Sequence, residues 1–246
     1  MVFSRKGNQE IQDIKNILVS GNPSQLAECV RDLGVLIDSG LTFVPQISDV
    51  VKKTSYCLRN IAFVRKYIDI DSIKKLVVGG VLSRLDYCNS VYFRLPAKQL
   101  RRLQMIMNRS ARLIRGISAR DRITPVLIDL HWLPIKARIV YKICVLTHQA
   151  LCSGAPVYLR SMLEVLQPTN GINTRRAYNG FLNEPRCSSF YGFRAFKSAA
   201  PRLYNGLPSD IKSIDNIRDF KGKLKTYLFR KCYDLDDLTM SPEYAL

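Results

Sequence analysis

The side chains able to do chemistry fall into a few groups along the chain. Cys144, His148 and Cys152 stand four residues apart each, so they share one face of any helix that reaches Cys152. Two thiolates and an imidazole are zinc ligands. Structural zinc, however, takes four ligands in short loops of the C-x2-4-C type, and no fourth stands nearby in sequence. Packing in a core, where cysteine behaves as a small apolar residue, is the better reading of the three. Asp236-Asp237 near Tyr233 looks like the aromatic-x-Asp-Asp turn of polymerases, whose carboxylates hold Mg2+ on a rigid scaffold. Asp234 stands where the aromatic belongs and no strands flank the pair, so it reads as a solvated acidic tail. His131, beside the only tryptophan, Trp132, could act as a general base, but no nucleophile accompanies it. It precedes Pro134 at a turn, and His131, Trp132 and Pro134 together read as a structural corner. No phosphate loop, G-x-G-x-x-G or G-x-S-x-G occurs.

The stronger signal is cationic. Stepping about 100° per residue along 96–115, the α-helical angle, puts Leu100, Leu103, Ile106, Met107, Leu113 and Ile114 on one side. Lys98, Arg101, Arg102, Arg109, Arg112 and Arg115 fall on the other, with no acid among them. Solvated helix faces usually mix signs, which aids solubility and i,i+4 pairing. A face of one sign suits phosphate, and arginine's planar fork of donors suits it best. Such contacts position a nucleic acid without reading its bases. The whole chain agrees: 38 Lys+Arg against 20 Asp+Glu give a formal net charge of +18 over 246 residues. That balance attracts polyanions, with RNA, DNA or an RNA–DNA hybrid as the partners expected. A membrane is not, because no run of about 18 apolar residues occurs. The N-terminus has no apolar stretch of the secretory kind, and seven cysteines without close pairing fit a reducing compartment. The expected location is intracellular, nucleus or cytoplasm.

The elements around these residues are mainly helical, and 47% hydrophobic residues allow a sizeable core. Residues 1–44 read as β: Met1–Phe3 as a short strand, IQDIKNILVSG as hairpin or short helix, and VRDLGVLIDSGLTF as a strand pair. In that pair Leu33, Val35 and Ile37 alternate and Ser39-Gly40 supplies turn chemistry. A helical domain spans 45–155, opened by the 3–4 spacing of Ile47, Val50, Val51, Leu58, Ile61 and Ile68. Asp69 or Asp71 caps the next helix. Gly79-Gly80 inside it costs about 1 kcal/mol per glycine, which implies a break or a close helix contact. Pro96 and Gly116 bracket the basic helix, and Pro134 opens another that stops before Gly154-Ala155-Pro156. A helical extension covers 156–233, with a loop at 167–193, and 234–246 is an acidic tail.

Several blocks, in order, resemble the C-terminal half of the reverse transcriptases of non-LTR retrotransposons, of the kind related to jockey elements. MVF and VRDLGVLIDSGLTFVPQI resemble the last palm strands and the entry to the thumb. LSRLDYCNSVYF resembles a thumb segment, and LQMIMNRSARLIRG a helix with Gln104, Asn108 and Arg112 at fixed spacing. The most specific block is ITPVLIDLHWLPIKARIVYKI, with Leu130-His131-Trp132-Leu133-Pro134, then Arg138-Ile139 and Tyr141-Lys142. APVYL, SSFYGFRAFKSAAPRLYNGLPSDI and FKGKLKTYLF complete a resemblance over residues 1–4 and 30–230. The chain departs from the pattern at Arg122, where the family often has His, and at Tyr204, where it often has Trp.

The resemblance implies a thumb-like helical bundle with a helical C-terminal extension and a small N-terminal β-hairpin remnant of the palm. It implies that this segment grips template and primer behind the polymerase active site. The family's catalytic carboxylates, which hold Mg2+ in the parent polymerase, lie in fingers and palm upstream of what this sequence matches. On that basis Met1 is expected to be an internal methionine of a truncated element, or a start codon within one, and the isolated chain is expected to hold no cofactor and not to polymerise DNA. Two other classes remain open: a stand-alone basic RNA- or DNA-binding protein, and a helical interaction scaffold.

Overall fold

The structure, a computed structural model, describes residues 16–19 and 22–25 by their backbone, and 27–154, 156–166 and 181–233 in full. Met1–Phe3, the tail with Asp236-Asp237 and most of the expected loop lie outside the described residues. The chain is mainly helical, with antiparallel hairpins near its N-terminus: β1 (Asn16–Val19) with β2 (Asn22–Gln25), and β3 (Cys29–Asp32) with β4 (Val35–Asp38). Among the described residues no helix is long and apolar enough to cross a membrane. Contacts divide the chain into two units, residues up to 88 with 95–119, and 89–94 with 120 onwards.

In the first unit, the β3–β4 hairpin turns at Leu33-Gly34, not at Ser39-Gly40. Both turn residues take positive φ, 43° and 85°, as a type I′ turn requires of its two central positions. Leu33 is thus a turn residue, 85% exposed, rather than a member of an alternating strand. Val35 is buried, and β4 packs on α1 (Val44–Val64). The hairpin is fastened by polar contacts as well. Leu36 N donates to the side-chain oxygen of buried Gln46 at 2.8 Å, and the Tyr87 hydroxyl donates to Leu33 O at 2.6 Å. Asp38 ends the hairpin by accepting from Thr42 N, the Thr42 hydroxyl and Phe43 N at 2.7–2.9 Å. Burial raises the Asp38 pKa, but those bonds outweigh it and hold the carboxyl below its ordinary value. The hairpin is therefore supported from within the first unit, by α1 and by Tyr87.

α1 buries Ile47, Val50, Thr54, Leu58 and Ile61 along one stripe. The Thr54 hydroxyl is satisfied by Val50 O at 2.6 Å. A 3-10 turn (Arg65–Tyr67) leads to α2 (Ile70–Val77), whose N-cap is Asp69, accepting from Asp71 N and Ser72 N. The glycine pair falls in a π turn (Val78–Leu82) before α3 (Ser83–Asp86). A Cβ on Gly80 would sit 2.6 Å from Cys57 Sγ, so the helix is both interrupted and closely approached there. α4 (Ala97–Arg115) starts after Pro96 and ends on Gly116 at φ 70°. It buries Leu100, Leu103, Ile106, Met107, Ser110, Ala111 and Ile114, and packs on α1.

The second unit is built around α6 (Ile135–Cys152), preceded by a 3-10 turn at Asn89–Tyr92 and by α5 (Thr124–Asp129). α6 buries residues over most of its circumference, from Ile135 and Ile139 to Val145 and Ala150, and leaves Lys142 and Gln149 exposed. A helix buried on several sides needs partners on several sides. α9 (Phe196–Asn205) and α11 (Ile217–Cys232) supply them, with α7 (Val157–Arg160) at its end. The contacts thus change from one unit to the other near residue 119, and the helix that Pro134 opens is a core helix of the second unit. The loop expected at 167–193 ends earlier. Leu182 N donates to Asn205 Oδ1 and Asn205 Nδ2 to Leu182 O, both at 2.9 Å, and α8 starts at Phe190 (Phe190–Arg194) behind the Ser189 cap. α10 (Ser209–Lys212) precedes α11, which Asn216 caps.

Candidate nucleic-acid interface

α4 separates its residues cleanly because its sequence does. The apolar stripe is buried apart from half-buried Leu113, while Lys98, Arg101, Arg109 and Arg115 are exposed and Arg102 and Arg112 half-buried. The span from Lys98 to Arg112 is roughly 21 Å at 1.5 Å rise per residue. Among the described residues no acid pairs with Lys98, Arg101 or Arg109. Arg102 and Arg112 are already engaged. Arg102 donates to Gln99 Oε1 and to Ser48 Oγ on α1, each at 3.0 Å, and Arg112 Nε donates to Ser118 O at 3.3 Å. Gln104 Nε2 donates to Asn108 Oδ1 at 2.8 Å, which links two of the three residues of the motif along the helix.

Beside Arg109 lies a feature the sequence reading passed over. An open groove of about 500 Å³ runs within the first unit, with Leu58, Ala62 and Leu113 as its apolar lining and Lys52, Ser55, Arg59 and Arg109 as its polar one. Its cations come from two helices and no acid lines it. Such a cleft concentrates positive potential and draws in phosphate. Lys52 and Arg59 stand seven residues apart on α1, so the helical wheel applied to α4 would have found them.

The corner residues serve packing within the second unit. His131 takes φ 53° and ends α5 where glycine is usual. Its exposed ring stacks on Phe229 of α11, with centroids 5.5 Å apart and planes 15° apart. Trp132 is buried, and its main-chain oxygen accepts from the Tyr233 hydroxyl at 2.7 Å. Pro134 is buried and is the N-cap residue of α6. The corner thus ties the start of α6 to the end of α11.

Cys144, His148 and Cys152 do share one face of α6, but the face looks into the second unit. His148 is fully buried, stacked on Phe220 at 3.7 Å between centroids with planes 2° apart, and its Nδ1 lies 3.0 Å from the Tyr204 hydroxyl. Burial pushes its pKa below the ordinary value of 6.5. Cys144 is also fully buried, which pushes its thiol up to about 12. Cys152 is exposed, with Sγ 3.5 Å from His148 Nε2. Among the described residues no group of three or more His, Cys, Asp or Glu side chains is placed to hold a metal ion. No protein-family model, curated protein or solved structure matches the chain.

Proposed function

We propose that this chain binds nucleic acid through the outward face of α4, and that it is the thumb and downstream helical region of a non-LTR retrotransposon reverse transcriptase. The observation that supports binding best is the exposure of Lys98, Arg101 and Arg109 on one acid-free helix face, with the Lys52–Arg59–Arg109 groove beside it. The partner is RNA, DNA or their hybrid, held by phosphate. In the parent polymerase this segment would grip template and primer while the palm carboxylates and Mg2+ do the chemistry. The residues proposed here hold rather than react, so binding without polymerisation is the activity expected of the isolated chain. Competing readings are a stand-alone basic binding protein and a helical scaffold whose charge is incidental.

Binding is tested with Arg101→Glu and Arg109→Glu rather than with Arg102 or Arg112, whose hydrogen bonds also support the first unit. Loss of affinity for an RNA–DNA hybrid supports the interface, and unchanged binding favours the scaffold. The family assignment is tested separately, in the genomic DNA ahead of the Met1 codon. A palm with paired aspartates, intact or decayed, in or near frame supports it. Unrelated sequence with a promoter and introns contradicts it.

A further inference from the structure

Three large aromatic side chains stand in solvent along one edge of α1 and the turn after it: Tyr56 is 61% exposed, Phe63 75% and Tyr67 71%. Exposed apolar residues are ordinary when scattered singly. These are not scattered. Their spacing of seven and four residues puts them on one helical face, opposite the buried stripe of Ile47, Val50, Leu58 and Ile61. Alongside runs a second line, Lys52, Arg59 and Lys66, at spacings of seven and seven. The two lines touch: the Arg59 guanidinium lies 6.0 Å from the Tyr56 ring centroid, and the Lys66 ammonium 4.8 Å from that of Tyr67. Among the described residues no ring or cation packs on Phe63.

We infer that this face of α1 is a stacking platform for the unpaired bases of a single-stranded nucleic acid, whose phosphates follow Lys52, Arg59 and Lys66. The inference rests on the nucleic-acid reading above and adds a second surface and a form of substrate to it. A ring in solvent offers a π-face to any base, whereas the bases of a duplex are already stacked on each other. The parallel basic line selects a polyanion over an uncharged apolar partner. It also disfavours a second copy of this chain, which would bring its own net charge of +18. Lys52 and Arg59 border the groove that Arg109 lines, so one strand could leave the α4 face and run along α1 within the same unit.

The experiment uses the full chain, with an oligothymidylate strand of about 16 nucleotides and a duplex of the same length as probes. The Tyr56→Ala/Phe63→Ala/Tyr67→Ala variant is expected to bind the strand at least about 100-fold more weakly, on at least about fivefold per ring lost, while duplex affinity changes less than about threefold. Phe63→Trp is expected to keep strand affinity and to show quenched fluorescence on binding. All four side chains replaced or introduced lie in solvent, and unchanged circular dichroism verifies the fold. Strand binding by the triple variant equal to that of the parent chain overturns the inference. So does an equal loss on strand and duplex. If Arg101→Glu/Arg109→Glu weakens duplex binding while the triple variant binds the strand normally, the platform fails and the α4 interface stands. The reverse pattern keeps the platform and removes the α4 interface. A parent chain that binds neither probe removes both.

Discussion

The side chain of Arg65 closes the C-terminal end of α4: its Nε donates to Leu113 O at 2.9 Å, across 48 residues of sequence. Gly116 makes room for it. A Cβ there would collide with the Arg65 guanidinium, and the position has φ 70°, where a side chain is strained in any case. Gly116→Ala is expected to lower stability by about 1–2 kcal/mol, from the left-handed backbone and the collision together. Arg65→Ala should cost about 0.5–1 kcal/mol, a net hydrogen bond. The double variant should lose less than the sum, because the collision disappears with Arg65. Urea midpoints measure all three, and strict additivity would show that the two residues do not interact.

Helix ends were legible in the sequence because capping chemistry is local. Asp69, Pro96, Gly116 and Pro134 each mark a boundary from their own residue type. Other features depend on distant partners. Leu33 sits badly in a left-handed turn on propensity alone, and only Tyr87, 54 residues away, fastens its carbonyl. Lys136, Arg138 and Lys142, taken by residue type alone, would make α6 a cationic surface. Arg138 instead lies half-buried and donates to Leu133 O at 3.0 Å, while the helix beneath is core. The burial of His148 required Tyr204 and Phe220, which no spacing on α6 announces. The α4 face was legible from the wheel. The α1 face has the same periodicity, but apolar residues dominated its reading, and only exposure separates Phe63 from Ile61.

The hairpin turn offers room for improvement. Leu33 makes its turn with φ 43° and nearly all of its side chain in water, so asparagine fits the backbone better and sacrifices little packing. Leu33→Asn is expected to stabilise the chain by about 0.5–1 kcal/mol. Gln46→Leu should do the opposite, by about 1–3 kcal/mol, because Leu36 N loses its 2.8 Å acceptor. Hydrogen exchange at the Leu36 amide reads both changes. Equal exchange at that amide in the Gln46→Leu variant would contradict the anchoring.

Stability should fall on mild acidification because of His148. Burial depresses its folded pKa below 6.5, so as pH drops below 6.5 the unfolded chain takes up a proton that the folded chain resists. The contribution is fully present above pH 6.5 and is lost as pH falls toward the depressed folded value. Thermal midpoints at pH 7.5 and about pH 5.5 should differ more for the parent chain than for His148→Leu. A difference the same in both would place the acid sensitivity elsewhere.

Cys144 and Cys152 should separate by reactivity. The Cys144 thiol is fully buried with a pKa near 12, so it presents almost no thiolate at neutral pH and no access to reagent. In the folded chain an alkylating reagent is expected to label exposed Cys152 and to leave Cys144 until denaturant is added, as peptide mass mapping would report. Labelling of Cys144 in buffer at the rate of Cys152 would contradict the core packed around α6.

The most direct test of the nucleic-acid interface is the salt dependence of hybrid binding, measured by anisotropy for the parent chain and for Arg101→Glu/Arg109→Glu. If Lys98, Arg101 and Arg109 contact phosphate, log K falls steeply with log salt, with a slope of about −0.9 per phosphate neutralised on a duplex. The variant's slope should then be shallower by about 2 and its affinity at least tenfold lower. Binding that does not change between low and high salt, or a variant with the parent's slope, would contradict the assignment of the α4 face to phosphate.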